Sequence, residues 1–340
     1  LLILGFNLKP DMKCKNLKIN GIKVVLFALL IGVFSCKEAP KEQPKDVEAS
    51  ELSMKVADPF FKLSLAQWSI HKMIRNDNVD PYTFAEKAKK WGFTGLEYVS
   101  QLYNPELEKA NYSKEAMAAF VEKSNAEAKK YGLQNVLIMI DGQGNLAVSD
   151  EKERNETVEK HKIWVDAAAA MGCHAIRVNL NGSSVPEEWK ANAVDGLTKL
   201  ATYAKGKNIN VLVENHGGLS SNGALHAEVM ATVNMDNCGS LPDFGNFCIE
   251  RSKDGCAEEY DNYKGISELM PYAKAVSAKS HDFDADGNET KLDYPRILKI
   301  VKDAGYTGYI GVEYEGSILG EEDGILATRD LLIKAGKELN

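Results

Sequence analysis

The chain has 340 residues, 44% of them hydrophobic and 26% charged, with a mean hydropathy of −0.30. That is an ordinary soluble balance, long enough for one large α/β domain or two small ones. The formal net charge of −8 and the lack of a basic stripe argue against nucleic acid as a partner, because binding there rests on neutralising phosphates.

Residues before Met12 contain no methionine and read as upstream translated sequence. From Met12 the chain carries Lys13, Lys15, Lys18 and Lys23, then the apolar run Val24 to Phe34, too short to span a bilayer. The run ends in Val33-Phe34-Ser35-Cys36, which resembles a bacterial lipobox with Cys36 as the lipidated residue. Lys37 to Ser50 is rich in Lys, Glu and Pro and reads as a flexible tether. The expected organisation is a signal peptide through residue 36, a linker over 37–58 and one folded domain over 59–340. The expected location is the periplasmic side of a bacterial membrane, held only by the lipid on Cys36. An oxidising compartment permits disulfides. Among Cys173, Cys238, Cys248 and Cys256, the pair Cys248 and Cys256 is spaced to close one loop, with free thiols as the alternative.

A helix–glycine–strand unit then repeats. Lys87-Ala-Lys-Lys-Trp-Gly92, Glu127-Ala-Lys-Lys-Tyr-Gly132, Ala167-Ala-Ala-Ala-Met-Gly172 and Ile300-Val-Lys-Asp-Ala-Gly305 each lead into a β-rich run. The four glycines sit where a helix C-cap needs positive φ, and the Val, Ile and Tyr that follow favour strand. In chain order the predicted strands are Lys62–Ile70, Gly95–Ser100, Asn135–Ile140, Ala175–Leu180, Asn210–Asn215, Ser240–Phe244, Ala275–Ser280 and Gly308–Tyr314. Helical patterns separate them, among them Pro81–Trp91, Lys114–Tyr131, Glu151–Met171, Pro186–Lys205 and Tyr294–Ala304. Alternating β and α elements imply a parallel sheet with right-handed crossovers. Eight such units, with no Gly-x-Gly-x-x-Gly or Walker pattern after the first strand, fit an α/β fold of the (β/α)8 TIM barrel type.

Chemistry in such a barrel belongs at the C-terminal strand ends. There the fifth strand delivers Glu214-Asn215-His216 and the sixth Asp243-Phe-Gly-Asn246. The seventh delivers Ser277-Ala-Lys279-Ser-His281-Asp282 and the eighth Glu313-Tyr-Glu315. Three carboxylates and an imidazole form a hard, oxygen-rich set suited to Mn2+ or Mg2+, with Zn2+ or Co2+ as alternatives. So many acids together repel one another unless a cation lies between them. That cation would polarise a sugar carbonyl or hydroxyl while a flanking carboxylate moves the proton. Around this centre, Arg177, Asn179, Asn246, His216 and Glu97 are candidates for substrate contact, with an Arg177–acid ion pair as the plain alternative. Glu97 would serve as a base or hold an arginine, and Lys279, costly inside a strand unless paired, is expected against a rim acid or a substrate oxygen. Gln67, His71, Asp141 and Gln143 are weaker pocket candidates. Trp91 and Trp164 read as core, and Asp284-Ala-Asp-Gly-Asn-Glu289 reads as a solvated turn because it lacks the twelve-residue calcium series.

From about Phe61 onward the chain resembles the xylose-isomerase-like TIM barrel superfamily of sugar-phosphate isomerases and epimerases, ketose 3-epimerases, inosose dehydratases and endonuclease IV. Leu212-Val-Glu-Asn-His-Gly-Gly218, Pro242-Asp-Phe-Gly-Asn-Phe247 and Gly308-Tyr-Ile-Gly-Val-Glu-Tyr-Glu-Gly316 carry the resemblance. It implies Glu214, Asp243 and Glu313 as metal ligands, with Glu214 and Glu313 also the proton-transfer pair of an isomerase or epimerase. The family's His-x-Lys-Asp register is held here by Ser277-Ala-Lys279-Ser280, so the fourth ligand is expected to be His281, four residues on, or else His216, with water or neither as the remaining alternative. The partner implied is a small carbohydrate, unphosphorylated if the protein is exported. A lyase that cleaves 3-keto-glycosides shares the first step, and a non-catalytic carbohydrate-binding lipoprotein is the alternative of another class. The acidic charge and the lack of a multi-histidine set disfavour an endonuclease. The oligomeric state stays open, a homo-oligomer included.

Overall fold

The computed structural model describes residues 58–339; Cys36, the apolar segment and the lysine-rich tether lie outside them. Among the described residues, ten strands form two sheets. In chain order they are β1 Lys62–Ala66, β2 Gly95–Val99, β3 Gln134–Met139, β4 Ala175–Val178, β5 Asn210–Glu214, β6 Cys238–Leu241, β7 Cys248–Ser252, β8 Gly255–Glu259, β9 Val276–Ser280 and β10 Tyr309–Tyr314. Eight of these form one parallel sheet in the order β6-β5-β4-β3-β2-β1-β10-β9. Short bridges from Ser240 to Ala273 and from Asp243 to Ser277 join its two edges, so the sheet nearly closes into the expected TIM barrel.

Local sequence explains the helices between the strands. Ser113 and Asp150 each accept a backbone N–H in the first turn of the helices Lys114–Tyr131 and Glu151–Met171, and both helices stop at a glycine with positive φ, Gly132 and Gly172. Gly92 and Gly305 also have positive φ, as the repeat implies. Pro186 opens Pro186–Lys205, where its missing N–H costs nothing. Trp91, Trp164 and Trp189 are buried between helices and sheet.

Three elements differ from the pattern. The first strand stops at Ala66, and Gln67–Ile70 wind into a 3-10 turn instead of extending the strand. Tertiary bonds hold that turn: Gln67 accepts from the Val99 amide, and the Ser69 hydroxyl donates to the Val312 carbonyl. The sixth strand spans Cys238–Leu241 and ends before Pro242, which has no N–H for the ladder. The chain there turns to β9 instead, with Phe244 N donating to Ser277 O and Ser277 N to Pro242 O. Finally, β7 and β8 form an antiparallel hairpin outside the barrel, and the Cys248–Cys256 disulfide links its strands.

Candidate metal centre at the C-terminal rim

The strand ends bring Glu214 of β5, Asp243 after β6 and Glu313 of β10 together, each offering an oxygen within 4.8 Å of the others. All three are buried. Each carboxylate is aimed by a neighbour. Asp243 Oδ1 accepts from the backbone N–H groups of Gly245 (2.8 Å) and Asn246 (2.9 Å). The Asp243 backbone is clamped in turn by Asn215, which accepts from its N–H at 2.8 Å and donates to its carbonyl at 3.0 Å. Glu214 Oε1 accepts from Asn246 Nδ2 at 3.1 Å. Glu313 Oε1 accepts from Lys279 Nζ at 2.9 Å, and the same ammonium also binds Glu315. Such outer contacts fix ligand orientation in metal sites.

Two cations serve a larger number of acids. Arg177 donates to Asp141 at 2.8 Å, and its Nε stands 2.7 Å from Glu214 Oε2. That second contact is one of charge only, because neither atom completes a hydrogen bond in the protein. Burial raises the Asp243 carboxyl to about 8; Lys279 counters it, while Glu214 and Glu313 add to it. Burial likewise raises Glu313; Lys279 counters it, while Glu214 and Glu315 add to the rise. Lys279 itself is held charged: burial opposes the ammonium, but Glu313, Asp243, Glu315 and Glu214 together push it well above its ordinary value. Burial is the main cause of the raised carboxyls, and the neighbouring acids push both them and Lys279 further up. Deeper in the barrel Glu97 is pushed up to about 8 by burial, against the Ser64 hydroxyl that donates to it, and its Oε2 has no partner.

This donor set fits a divalent cation. Three convergent carboxylates and an acid cluster whose burial disfavours its charge ask for positive charge at that point.

Neither histidine joins the cluster. His281 follows the last residue of β9 and turns away, lining a separate cavity of about 460 Å3 with Gly245, Tyr260 and Lys291. The inward positions of β9 are held by Ser277 and Lys279, so the fourth ligand expected at His281 is not placed there. His216 is exposed and lines the mouth above the carboxylates. That mouth is a cavity of about 420 Å3 whose walls include Trp68, Asp141, Arg177, Asn246, Arg251 and Glu315. Trp68 stacks on His71 with ring centroids 4.4 Å apart. Lys279 meets rim acids as expected, and Asn246 serves the carboxylates themselves. Gln67 and Gln143 are spent on Tyr103 and Tyr112. In the 284–289 turn, Asp284 accepts from the amides of Asp286 and Asn288, so its carboxylate serves the backbone.

Sequence reasoning missed Ser277, Asn215 and Arg251. Ser277 donates to Asp243 Oδ2 at 2.7 Å and stands 3.1 Å from Glu313 Oε2. Its position in the strand register was the available signal. Arg251 reaches the mouth from the β7–β8 hairpin, which only the Asp254-Gly255 turn and the flanking cysteines announce.

Fold and site together define a parallel β/α barrel with a carboxylate centre at its C-terminal rim. The chain belongs to the xylose isomerase-like TIM barrel family, whose model matches residues 85–335. A 61-residue segment is 43% identical to the C-glycoside deglycosidase alpha subunit of Arthrobacter globiformis, and the match covers 17% of either chain. A crystal structure of IOLI protein with a binding zinc atom superposes with a TM-score of 0.61 at 16% identity, over 82% of this chain and 99% of that one. The apo form of 3-keto-D-glucoside 4-epimerase, YcjR, from E. coli superposes with a TM-score of 0.56 at 14% identity, over 73% of this chain and 92% of that one. At such identities these superpositions speak for the fold.

Proposed function

We propose that this protein is a divalent-metal-dependent sugar isomerase or epimerase that removes a proton next to a carbonyl. The observation that carries the reading is the buried group of Glu214, Asp243 and Glu313 at the mouth of the barrel. Those three side chains would hold the cation, with Mn2+ or Mg2+ preferred and Zn2+ or Co2+ as alternatives. The cation would supply Lewis acidity at the substrate carbonyl. Glu214 and Glu313 then act as the proton-transfer pair. One takes the proton as the C–H electrons move towards the carbonyl oxygen, and the resulting enediolate is reprotonated at the other carbon or on the other face. Arg177 and Asn246 hold Glu214 in place, and Lys279 holds Glu313. Trp68 and His216 offer a ring face and a polar edge to a sugar in the mouth.

A second reading follows from the deglycosidase relative and the keto-glucoside epimerase fold. The same enolate expels a β-leaving group, which would make the protein a lyase acting on 3-keto-glycosides. Export through the Cys36 segment, which we propose from its lipobox-like sequence, would favour unphosphorylated substrates for either reading, and the Cys248–Cys256 disulfide is in keeping with an oxidising compartment.

Metal analysis of the purified protein tests the proposal, beside the Glu214→Gln/Glu313→Gln double variant. Near-stoichiometric Mn, Zn or Co, or stabilisation by added Mg2+ or Mn2+, is expected in the wild type and not in the variant. No metal and no metal-dependent stabilisation would reject the catalytic reading in favour of a carbohydrate-binding protein.

A further inference from the structure

The inner oxygens of the centre divide into two groups. Asp243 Oδ1 and Glu313 Oε1 are occupied by N–H donors from Gly245, Asn246 and Lys279. Their partners, Asp243 Oδ2 and Glu313 Oε2, both face one atom, Ser277 Oγ, at 2.7 and 3.1 Å. Ser277 is 1% exposed. A hydroxyl has one proton and two lone pairs, so it can donate to only one of these carboxylates at a time and keeps lone pairs to offer a cation. Glu214 Oε2, buried and without a hydrogen bond, faces Arg177 Nε at 2.7 Å and is the remaining oxygen of the group. No imidazole or thiolate among the described residues joins these carboxylates within 4.8 Å.

The geometry points to Ser277 Oγ as the fourth protein donor to the divalent cation, completing an all-oxygen site with Glu214, Asp243 and Glu313. The assignment rests on the metal reading above and deepens it. A serine hydroxyl is a hard, neutral donor, as in nucleotide-binding loops where Ser or Thr holds Mg2+. Zn2+ gains most of its advantage from nitrogen and sulfur ligands. The general order of divalent affinities still places Zn2+ above Mn2+, so the quantity that reports the donor is a ratio of affinities. At this site the ratio of soft to hard cation affinity is small, and changing the one atom at position 277 raises it.

The test is calorimetric titration of Mn2+ and Cd2+ into the chelator-stripped protein, its Ser277→Ala and Ser277→Cys variants, and the Glu214→Gln/Glu313→Gln variant. Circular dichroism verifies that each is folded. Ser277→Ala is expected to weaken Mn2+ binding about tenfold, near 1.4 kcal/mol. Ser277→Cys, almost the same size, is expected to raise the Cd2+/Mn2+ affinity ratio at least about tenfold and to produce a cadmium–thiolate absorption band absent from the wild type. Unchanged Mn2+ affinity in Ser277→Ala, or no new band and an unchanged ratio in Ser277→Cys, would overturn the assignment while the carboxylate site stands. Failure of the wild type to bind either ion would overturn both.

Discussion

Removing the Lys279 ammonium should expose the electrostatic design of the centre. Its Nζ lies 2.9 Å from Glu313 Oε1, and the side chain is 2% exposed. At an effective dielectric constant of 20, unit charges at that separation attract by about 6 kcal/mol, from which desolvation of both groups must be subtracted. Deleting one partner of a buried pair typically costs about 3–5 kcal/mol, because the other charge is left uncompensated. Here Glu313 and Glu315 would both lose the cation between them. Lys279→Met is therefore expected to lower the unfolding free energy by about 3–5 kcal/mol in chelator, read from urea transitions at pH 7.5. Lys279→Met/Glu313→Gln, which removes both charges, should recover more than half of that loss. Saturating Mn2+ should narrow the gap between Lys279→Met and wild type, since a cation then faces the carboxylates in both. A loss under about 1 kcal/mol for the single variant, the range of exposed pairs, would refute the reasoning.

Two further outcomes follow from the same structure. Glu97 has its carboxyl raised to about 8 by burial, so below about 4.5 both folded and unfolded states carry the proton and the group contributes nothing. Between about 4.5 and 8 the unfolded chain releases that proton while the native state keeps it, so stability falls as pH rises. Glu97→Gln should flatten that slope in metal-free protein, and an unchanged pH–stability profile over this window would count against it. The Cys248–Cys256 link spans a sequence separation of 8, for which the chain-entropy relation gives about 2.5 kcal/mol. Because the hairpin lies outside the barrel sheet, reduction should speed amide exchange in 248–259 by one to two orders of magnitude and leave the barrel strands unchanged. Uniform acceleration would show instead that the link supports the whole domain.

Much of the barrel is legible in the sequence because its punctuation is local. The helices Lys114–Tyr131, Glu151–Met171 and Pro186–Lys205 have the bounds expected, since Ser113, Asp150, Pro186, Gly132 and Gly172 mark ends through their own side chains or backbone freedom. The strand ends are less legible, because bonds to distant residues decide them. Ser69 bonding to the Val312 carbonyl, and the chain after Pro242 turning to Ser277, have no signature within their own segments. The same cause explains the histidine. Alternation would group His281 with Ser277 and Lys279, but β9 ends at Ser280, and the periodicity that would turn His281 inward ends with it. The carboxylates are legible because Glu214 and Glu313 lie within strands and Asp243 is anchored two residues past one, by Asn215 and the bridge to Ser277.

The central claim is that Glu214 and Glu313 exchange a proton with carbon next to a carbonyl. The most direct test is incubation of the Mn2+-supplemented protein with ketoses and 3-keto-glycosides in D2O, followed by mass spectrometry of recovered substrate and product. The account predicts one deuteron entering at the carbon beside the carbonyl, dependent on the metal and lost in both Glu214→Gln and Glu313→Gln. Neither exchange nor turnover with any of these sugars, or exchange that persists in both variants, would contradict it.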